Sequence, residues 1–183
     1  NGVAAAEHTI ALMCGLARHV AAADATLKAG GWDRSAYVGV SLVGKTLGIV
    51  GYGRIGREVA ARAAALGMTI VVADPALTPD AAAADGVTAA ALDDAVAAAD
   101  FLTLHVPLVD GTRHLMDGRR LGLLPHGARV INAARGGVVD EVALLAALES
   151  GAGWAAASLR AASSASASCC CAVTARVTRG GGI

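Results

Sequence analysis

Short apolar segments alternate along this 183-residue chain with segments whose apolar side chains recur at helical spacing. The short segments lack polar alternation, which is typical of strands that helices cover on both faces. Strands are predicted within four segments: 46–53, 68–75, 101–107 and 128–134. Helices are predicted at 3–28, 54–67, 79–85, 92–99, 117–124 and 140–151. This βαβα order predicts an α/β fold with a doubly wound parallel sheet of the Rossmann type.

The sequence changes character after Gly151. Residues 152–183 contain three arginines, no acidic residue and runs of Ala, Ser and Cys. We therefore predict one folded domain over residues 1–151 and a low-complexity tail over 152–183. The tail is expected to be disordered, or to result from a frameshift, a retained intron or a wrong gene model.

Composition narrows the possible partners. The formal net charge is zero, so the overall charge gives no sign of nucleic acid or an anionic membrane as a partner. No run approaches the ~20 strongly apolar residues of a membrane-spanning helix, and a soluble protein is expected. Adjacent thiolates rarely fit one tetrahedral site, so no metal site is predicted from the cysteines. The cysteines are Cys14, Cys169, Cys170 and Cys171.

The segment "GYGRIG" fits the pattern G-x-G-x-x-G with Gly51, Gly53 and Gly56. It follows a predicted strand and opens a predicted helix, which is the context of a dinucleotide-binding turn. Gly51 permits the tight turn, Gly53 lets the backbone approach a pyrophosphate, and Gly56 lets helix and strand pack closely. The helix beginning near Arg54 would direct its unpaired amides and its positive dipole end at the phosphates.

An acidic residue ends the next predicted strand. Asp74 follows Gly56 by 18 residues and is placed to accept hydrogen bonds from both hydroxyls of an adenine ribose. Because a 2′-phosphate would meet a like charge there, NAD is favoured over NADP. The alternative is that Asp74 is only a turn residue before Pro75.

The segment "VINAARGGVVDE" leads from a predicted strand into Arg135 and two glycines. A planar guanidinium binds a carboxylate through two parallel hydrogen bonds, so Arg135 is suited to hold an anion. The alternative is a surface arginine on a glycine turn.

These segments, together with "AEHTIALM", "LGMTIVVADP" and "ADFLTLHVPL", resemble the D-isomer-specific 2-hydroxyacid dehydrogenase family. The resemblance runs to about residue 151 and is greatest to the plant and cyanobacterial members that oxidise 3-phosphoglycerate. It implies a cofactor domain that the family inserts into a substrate domain, which is absent here. It leaves the location open, with plastid and cytoplasm both compatible, and implies a homodimer or larger assembly formed through the helix at 3–28.

By this resemblance, main chain after the second glycine meets the pyrophosphate of NAD, an acid holds the ribose, and two later loops border the nicotinamide. The cofactor-binding residues so implied, besides the three glycines, are Arg54, Ile55, Asp74, Val106, Ala133, Ala134 and Arg135. Arg135 would also grip the carboxylate of a small 2-hydroxy or 2-oxo acid and orient its C2 for hydride transfer.

The family pairs this arginine with a histidine that takes the hydroxyl proton and a glutamate that raises the pKa of the histidine. Neither the "LDVF..EP" nor the "PH.G" type of stretch that carries them occurs in this sequence. The histidines present are expected to be structural or surface residues, with His105 the nearest to the cofactor. The others are His8, His19, His114 and His126.

Three functions therefore stand open. The first is an NAD-dependent 2-hydroxyacid dehydrogenase of which this chain alone is inactive. The second is an NAD-binding regulatory module. The third is an inactive fragment that folds poorly because its sheet has lost its final strands.

Overall fold

The computed structural model describes residues 2–150 with their side chains, and the backbone of 155–159 and 171–172. Its strands form one sheet in the order β3-β2-β1-β4-β5-β6-β7, parallel except for the last pair. The strands are β1 (Thr46–Val50), β2 (Thr69–Ala73), β3 (Thr88–Ala89), β4 (Phe101–Leu104), β5 (Arg129–Asn132), β6 (Ala155–Leu159) and β7 (Cys171–Ala172). The helices are α1 (Gly2–Ala17), α2 (Val20–Lys28), α3 (Arg54–Ala65), α4 (Pro79–Ala84), α5 (Leu92–Ala98), α6 (Gly118–Leu121) and α7 (Glu141–Glu149).

The predicted doubly wound parallel sheet is confirmed. From β1 the chain winds outwards through β2 to β3, then returns to place β4 on the other side of β1. Val50, Leu104 and Asn132 end β1, β4 and β5 in register with one another. In such sheets a crevice opens outside the carboxyl ends of the strands where the winding reverses.

Two apolar layers cover the sheet. Side chains of α1 and α3 pack on one face and those of α5, α6 and α7 on the other. The neighbours Ile49 and Val50 on β1 belong to opposite layers, as do Ile131 and Val130 on β5. Both faces of these strands are buried, which explains the lack of polar alternation in their sequences.

The prediction of a single helix over residues 3–28 is wrong. The chain bends by 66° between α1 and α2, and His19 adopts a left-handed conformation with φ of 55°. The carbonyl of Ala17 accepts the amide of Val40 at 2.8 Å instead of continuing the helical ladder. Gly39 lies against it, and a Cβ there would be 2.1 Å from the same oxygen. The returning chain therefore occupies the place of the next helical turn.

Among the described residues no single helix has the length and hydropathy of a membrane span; the bent pair α1 and α2 meets these criteria only when taken together.

Each predicted strand segment contains a strand that ends two or three residues before the segment does. The leftover residues form loops at the carboxyl edge of the sheet. The short β3 was not predicted. Strands β6 and β7 lie within the segment predicted as a tail, and β6 pairs in parallel with β5. The rest of that segment lies outside the described residues, and the domain boundary at 151 stays a prediction.

Candidate functional site

A cleft of about 1180 Å³ lies at the carboxyl edge of the sheet. Its walls come from the start of α1, the glycine turn before α3, the loop after β4 and the loop after β5. Most of the residues predicted to bind the cofactor line it: Gly53, Arg54, Ile55, Val106, Ala133, Ala134 and Arg135. The structure therefore brings together two loops that are 80 residues apart in the sequence, from Gly53 to Ala133.

Gly51 and Gly56 lie at the base of this turn and are required by the fold itself. Gly51 has a φ of 93°, and a Cβ there would be 2.7 Å from the carbonyl oxygen of His105. A Cβ on Gly56 would be 2.3 Å from the carbonyl oxygen of Gly51. Both contacts are too short for any side chain, so these glycines let β1, α3 and the loop after β4 approach one another.

Gly53 is a different case. Its φ of −74° is open to any residue, and a Cβ there would meet no protein atom within 4 Å. Nothing in the fold therefore requires glycine at this position, yet the position lines the cleft. As the N-cap of α3, Gly53 offers no side-chain acceptor to the first helical amides. The amides and positive dipole end of α3 are left for an anion in the cleft.

Asp74 links the end of β2 to the glycine turn. Its Oδ2 accepts the amide of Tyr52 at 2.6 Å, and its Oδ1 accepts the amide of Ala76 at 2.8 Å. The carboxylate thus stabilises the glycine turn through Tyr52 and its own loop through Ala76, which is the structural role that the alternative interpretation of the sequence gave it. An ionised carboxylate has about four acceptor positions, so these two bonds leave capacity for ribose hydroxyls.

Arg57 contacts the side chain of Tyr52 in the glycine turn. Its guanidinium lies 4.6 Å from the centre of the Tyr52 ring and pairs with the carboxylate of Asp85. Burial, followed by the nearby Asp85 carboxylate, raises the pKa of the Tyr52 phenol. Sequence reasoning missed Arg57, which also lines the cleft. A signal existed, because Arg54 and Arg57 place two cations in the first turn of α3, where the helix dipole disfavours them.

His105 lines the cleft just beyond β4. Its Nε2 lies 3.0 Å from the hydroxyl oxygen of the buried Thr103. Burial lowers the pKa of the imidazole to about 4, so the ring is neutral at neutral pH. His114 by contrast is half exposed, with Nδ1 3.9 Å from a carboxylate oxygen of Asp140.

Arg135 is exposed on the loop that follows β5, and its Nη1 donates to the carbonyl oxygen of Ala134 at 2.9 Å. The buried side chain of Asn132 holds this loop from below: Nδ2 donates to the carbonyl of Arg135 at 3.0 Å. Oδ1 of Asn132 accepts the amide of Ala134 at 3.2 Å. Guanidinium carries five donors in a planar fork, so Arg135 keeps several for an anion. Sequence reasoning passed over Asn132 as part of the strand.

Within the described part of the chain, no group of three His, Cys, Asp or Glu side chains could hold a metal ion.

Comparison with known protein families places the chain among dehydrogenases. The profile described as "D-isomer specific 2-hydroxyacid dehydrogenase, NAD binding domain" matches residues 10–158. Curated relatives include the chloroplastic D-3-phosphoglycerate dehydrogenase 2 of Arabidopsis thaliana, 52% identical over 151 residues. D-3-phosphoglycerate dehydrogenase of Bacillus subtilis is 47% identical over 151 residues. The match covers 82% of this chain but only 24% and 29% of these relatives, so the chain spans about a quarter of their length.

Solved structures give the same result. The pyruvate reductase of Chlamydomonas reinhardtii superposes with a TM-score of 0.79 at 35% identity, over 85% of this chain and 46% of that one. D-lactate dehydrogenase of Aquifex aeolicus, solved with NAD and lactic acid, superposes with a TM-score of 0.79 at 31% identity. That match covers 86% of this chain and 48% of the neighbour.

Proposed function

The chain belongs to the D-isomer-specific 2-hydroxyacid dehydrogenase family, as its NAD-binding domain, and from this we propose the function of the cleft. We propose that the cleft holds NAD for the oxidation of the CH–OH group of a D-2-hydroxy acid, and that Arg135 holds the acid. The chain would be the cofactor-binding part of a larger dehydrogenase.

One observation carries this proposal: the space around Gly53 is open, and Gly53, the amino end of α3 and Arg135 line the same cleft. The first amides of α3, at Arg54 and Ile55, would hold a pyrophosphate, and Arg57 adds a positive charge to the same wall. Asp74 would accept the ribose hydroxyls with its remaining acceptor positions. The residues present therefore fit the cofactor.

When bound, NAD supplies a hydride acceptor. This chain's contribution is to orient the reactants and exclude water. Val106, Ala133 and Ala134 give the cleft an apolar wall beside Arg135, with little to hydrogen-bond water. Arg135 would bind the carboxylate of the acid bidentately and so fix the position of C2.

We propose 3-phosphoglycerate as the substrate, which would place the enzyme in serine synthesis. Support comes from the curated relatives, which are named D-3-phosphoglycerate dehydrogenases at 44 to 52% identity. The solved neighbours at 31 and 35% identity are named for lactate and pyruvate instead. A plastid location is supported in the same way by the names of the Arabidopsis relatives.

We propose that the 183-residue chain by itself binds NAD without turning substrate over. The reaction needs a group that takes the hydroxyl proton. His105 is the histidine that lines the cleft, and its pKa of about 4 makes it a weak proton acceptor at neutral pH.

We further propose that the protein self-associates through α1 and α2. Val20 and Leu27 lie on α2 with 55% and 57% of their surface exposed, and α2 buries no residue against the rest of the chain. An apolar helix face of this kind is typical of an interface between copies.

NAD titration of Gly53→Ala tests the site. The substitution adds one methyl group to open space at an ordinary φ, so the fold should be unchanged while NAD binding weakens on the order of tenfold or more. Gly111→Ala is the matched control, because Gly111 is also open and without positive φ but lies outside the cleft. Equal NAD affinity for the two variants and the unaltered chain would exclude the glycine turn as the cofactor site.

A further inference from the structure

Asn132 is a polar residue at a position where β5 would ordinarily carry an apolar one. It follows the buried Val130 and Ile131, and only 4% of its own surface is exposed. A buried side-chain amide is costly unless its donor and acceptor are both satisfied. Here both are satisfied by the loop that carries Arg135, through the bonds to Ala134 and Arg135 described above.

The two bonds span a short piece of main chain. They run from the amide of Ala134 to the carbonyl of Arg135, so one rigid side chain fixes both ends of this step. The guanidinium of Arg135 donates in turn to the carbonyl of Ala134. Any shift of Ala134 therefore moves both the main chain of Arg135 and the acceptor that orients its guanidinium.

We propose that Asn132 is a positioning residue for substrate binding. Its amide sets the place and angle at which Arg135 meets the carboxylate of a 2-oxo or 2-hydroxy acid. Asn132 acts through the loop after β5. Its own main chain is held in the sheet by pairing with β4. This inference rests on the proposed function of Arg135. A displacement of about 1 Å in such a group can reduce a rate on the order of a hundredfold, so positioning of this kind has measurable weight.

The test is Asn132→Asp in the full chain, with NADH and oxamate, an unreactive analogue of a 2-oxo acid, as probes. The variant has almost the same shape and keeps an acceptor for Ala134, but above its pKa it places a carboxylate oxygen against the carbonyl of Arg135. At pH 8 we expect oxamate to bind the NADH-saturated variant on the order of tenfold more weakly or worse. NADH affinity should fall by much less than oxamate affinity, because the glycine turn that would hold the pyrophosphate is untouched.

The pH dependence separates positioning from general destabilisation. Protonation of the introduced carboxyl restores an O–H donor opposite the carbonyl of Arg135, and burial raises the pKa of such a group. Oxamate affinity of the variant, relative to the unaltered chain at the same pH, should therefore recover between pH 8 and about pH 5.5. NADH affinity should stay nearly constant over the same interval, whereas a variant that lost oxamate binding through unfolding would lose and regain NADH binding in parallel.

Ile131→Val is the matched control. Ile131 is the neighbouring residue on β5 and is fully buried. Its side chain has no hydrogen-bonding group that could hold the Arg135 loop. The control loses a core methyl group and should keep its oxamate affinity within about twofold.

A second measurement applies if Asn132→Asp does not fold. In the unaltered chain the amide of Ala134 should exchange its hydrogen slowly for a loop residue, because the buried Oδ1 of Asn132 accepts it. Exchange at the rate of an open loop would overturn the inference.

The outcomes are distinct. Selective, pH-reversible loss of oxamate binding supports the positioning role. Unchanged oxamate binding in Asn132→Asp overturns that role and leaves the proposed function standing. Failure of the unaltered, NADH-saturated chain to bind oxamate overturns the proposed function of Arg135 and, with it, the role of Asn132.

Discussion

Asp74 holds the glycine turn in place through the amide of Tyr52 and its own loop through the amide of Ala76, independently of any ligand. The two interpretations of this residue from the sequence are therefore compatible. A carboxylate that is already fixed by two main-chain donors would meet ribose hydroxyls without losing side-chain entropy at that moment. The same residue can shape the turn and bind the cofactor.

Asp74→Asn should lower both stability and NAD affinity. An asparagine side chain has one acceptor oxygen, so one of the two amide bonds is lost and the other loses its charge assistance. We expect the free energy of unfolding to fall by roughly 1.5 to 3 kcal/mol and NAD affinity on the order of tenfold. Urea denaturation and NAD titration measure the two effects.

The control for this variant is Asp80→Asn on the exposed side of α4, outside the cleft. It should leave NAD affinity unchanged. If Asp74→Asn lowered stability but not NAD affinity, Asp74 would be a turn residue alone.

His105 should make stability fall in mild acid. Its pKa is about 4 in the folded protein against about 6.5 in an unfolded chain, so the unfolded state takes up the proton first as pH decreases. The contribution is fully favourable above pH 6.5 and is lost progressively towards pH 4. Between pH 7.5 and pH 5 the loss should be about 2 kcal/mol.

Urea denaturation of His105→Gln at pH 7.5 and pH 5 checks this, since the variant should lose about 2 kcal/mol less than the unaltered chain over that interval. His126→Gln, at an exposed histidine, should keep the original pH dependence. Equal pH dependence in all three proteins would contradict the assignment of a buried neutral imidazole.

At the scale of elements, the functional loops lie in the last residues of the predicted strand segments. The strands end at Val50, Leu104 and Asn132, while the apolar sequence continues through residues such as Val106 and Ala133. Apolar character does not distinguish a side chain that faces the core from one that faces a cleft. The sequence pattern therefore located the elements but not the ends at which function begins.

The break between α1 and α2 has the same kind of cause. Nothing in the sequence of residues 3–28 marks it, because the competing donor is the amide of Val40, far along the chain. Its result is that α2 buries no residue, and Val20 and Leu27 stay exposed.

Leu27→Glu should weaken self-association. A charge in an apolar interface is costly unless paired, so sedimentation velocity should report a smaller species or a dissociation constant raised on the order of tenfold or more. Val109→Glu, which changes a comparably exposed residue far from α2 in the sequence, should leave the assembly unchanged. A monomeric unaltered chain at all concentrations would contradict the proposed interface.

For the whole molecule, periodicity and the glycine motif were enough to predict the fold class and the glycine turn, whereas the cofactor-binding loops after β4 and β5 were predicted from the family resemblance. What they left out depends on pairs formed through space. Arg57 pairs with Asp85 across 28 residues, and the amide of Tyr52 meets Asp74 across 22. Asn132 was missed because the sequence around an asparagine at the end of a strand does not show which main-chain groups its side chain will bind. Such residues become visible only once the fold has brought the loops together.

The chain as a unit should bind NAD without catalysis. Binding to the folded state stabilises it by RT ln(1 + [L]/Kd), or about 2.7 kcal/mol at a hundredfold excess over Kd. For a domain of this size the midpoint of thermal unfolding should rise by roughly 5 to 10 °C. Gly53→Ala at the same NAD concentration should rise by less, and Gly111→Ala by as much as the unaltered chain.

In the same preparation, NADH absorbance with 3-phosphohydroxypyruvate or pyruvate should stay constant, because His105, which lines the cleft, is neutral at neutral pH and is a weak proton donor in that form. Measurable NADH oxidation would mean that the chain supplies its own acid and base, and His105→Gln would then be the first variant to assay. A thermal shift without turnover would identify the chain as a cofactor-binding domain whose proton-transfer groups must come from outside the described residues.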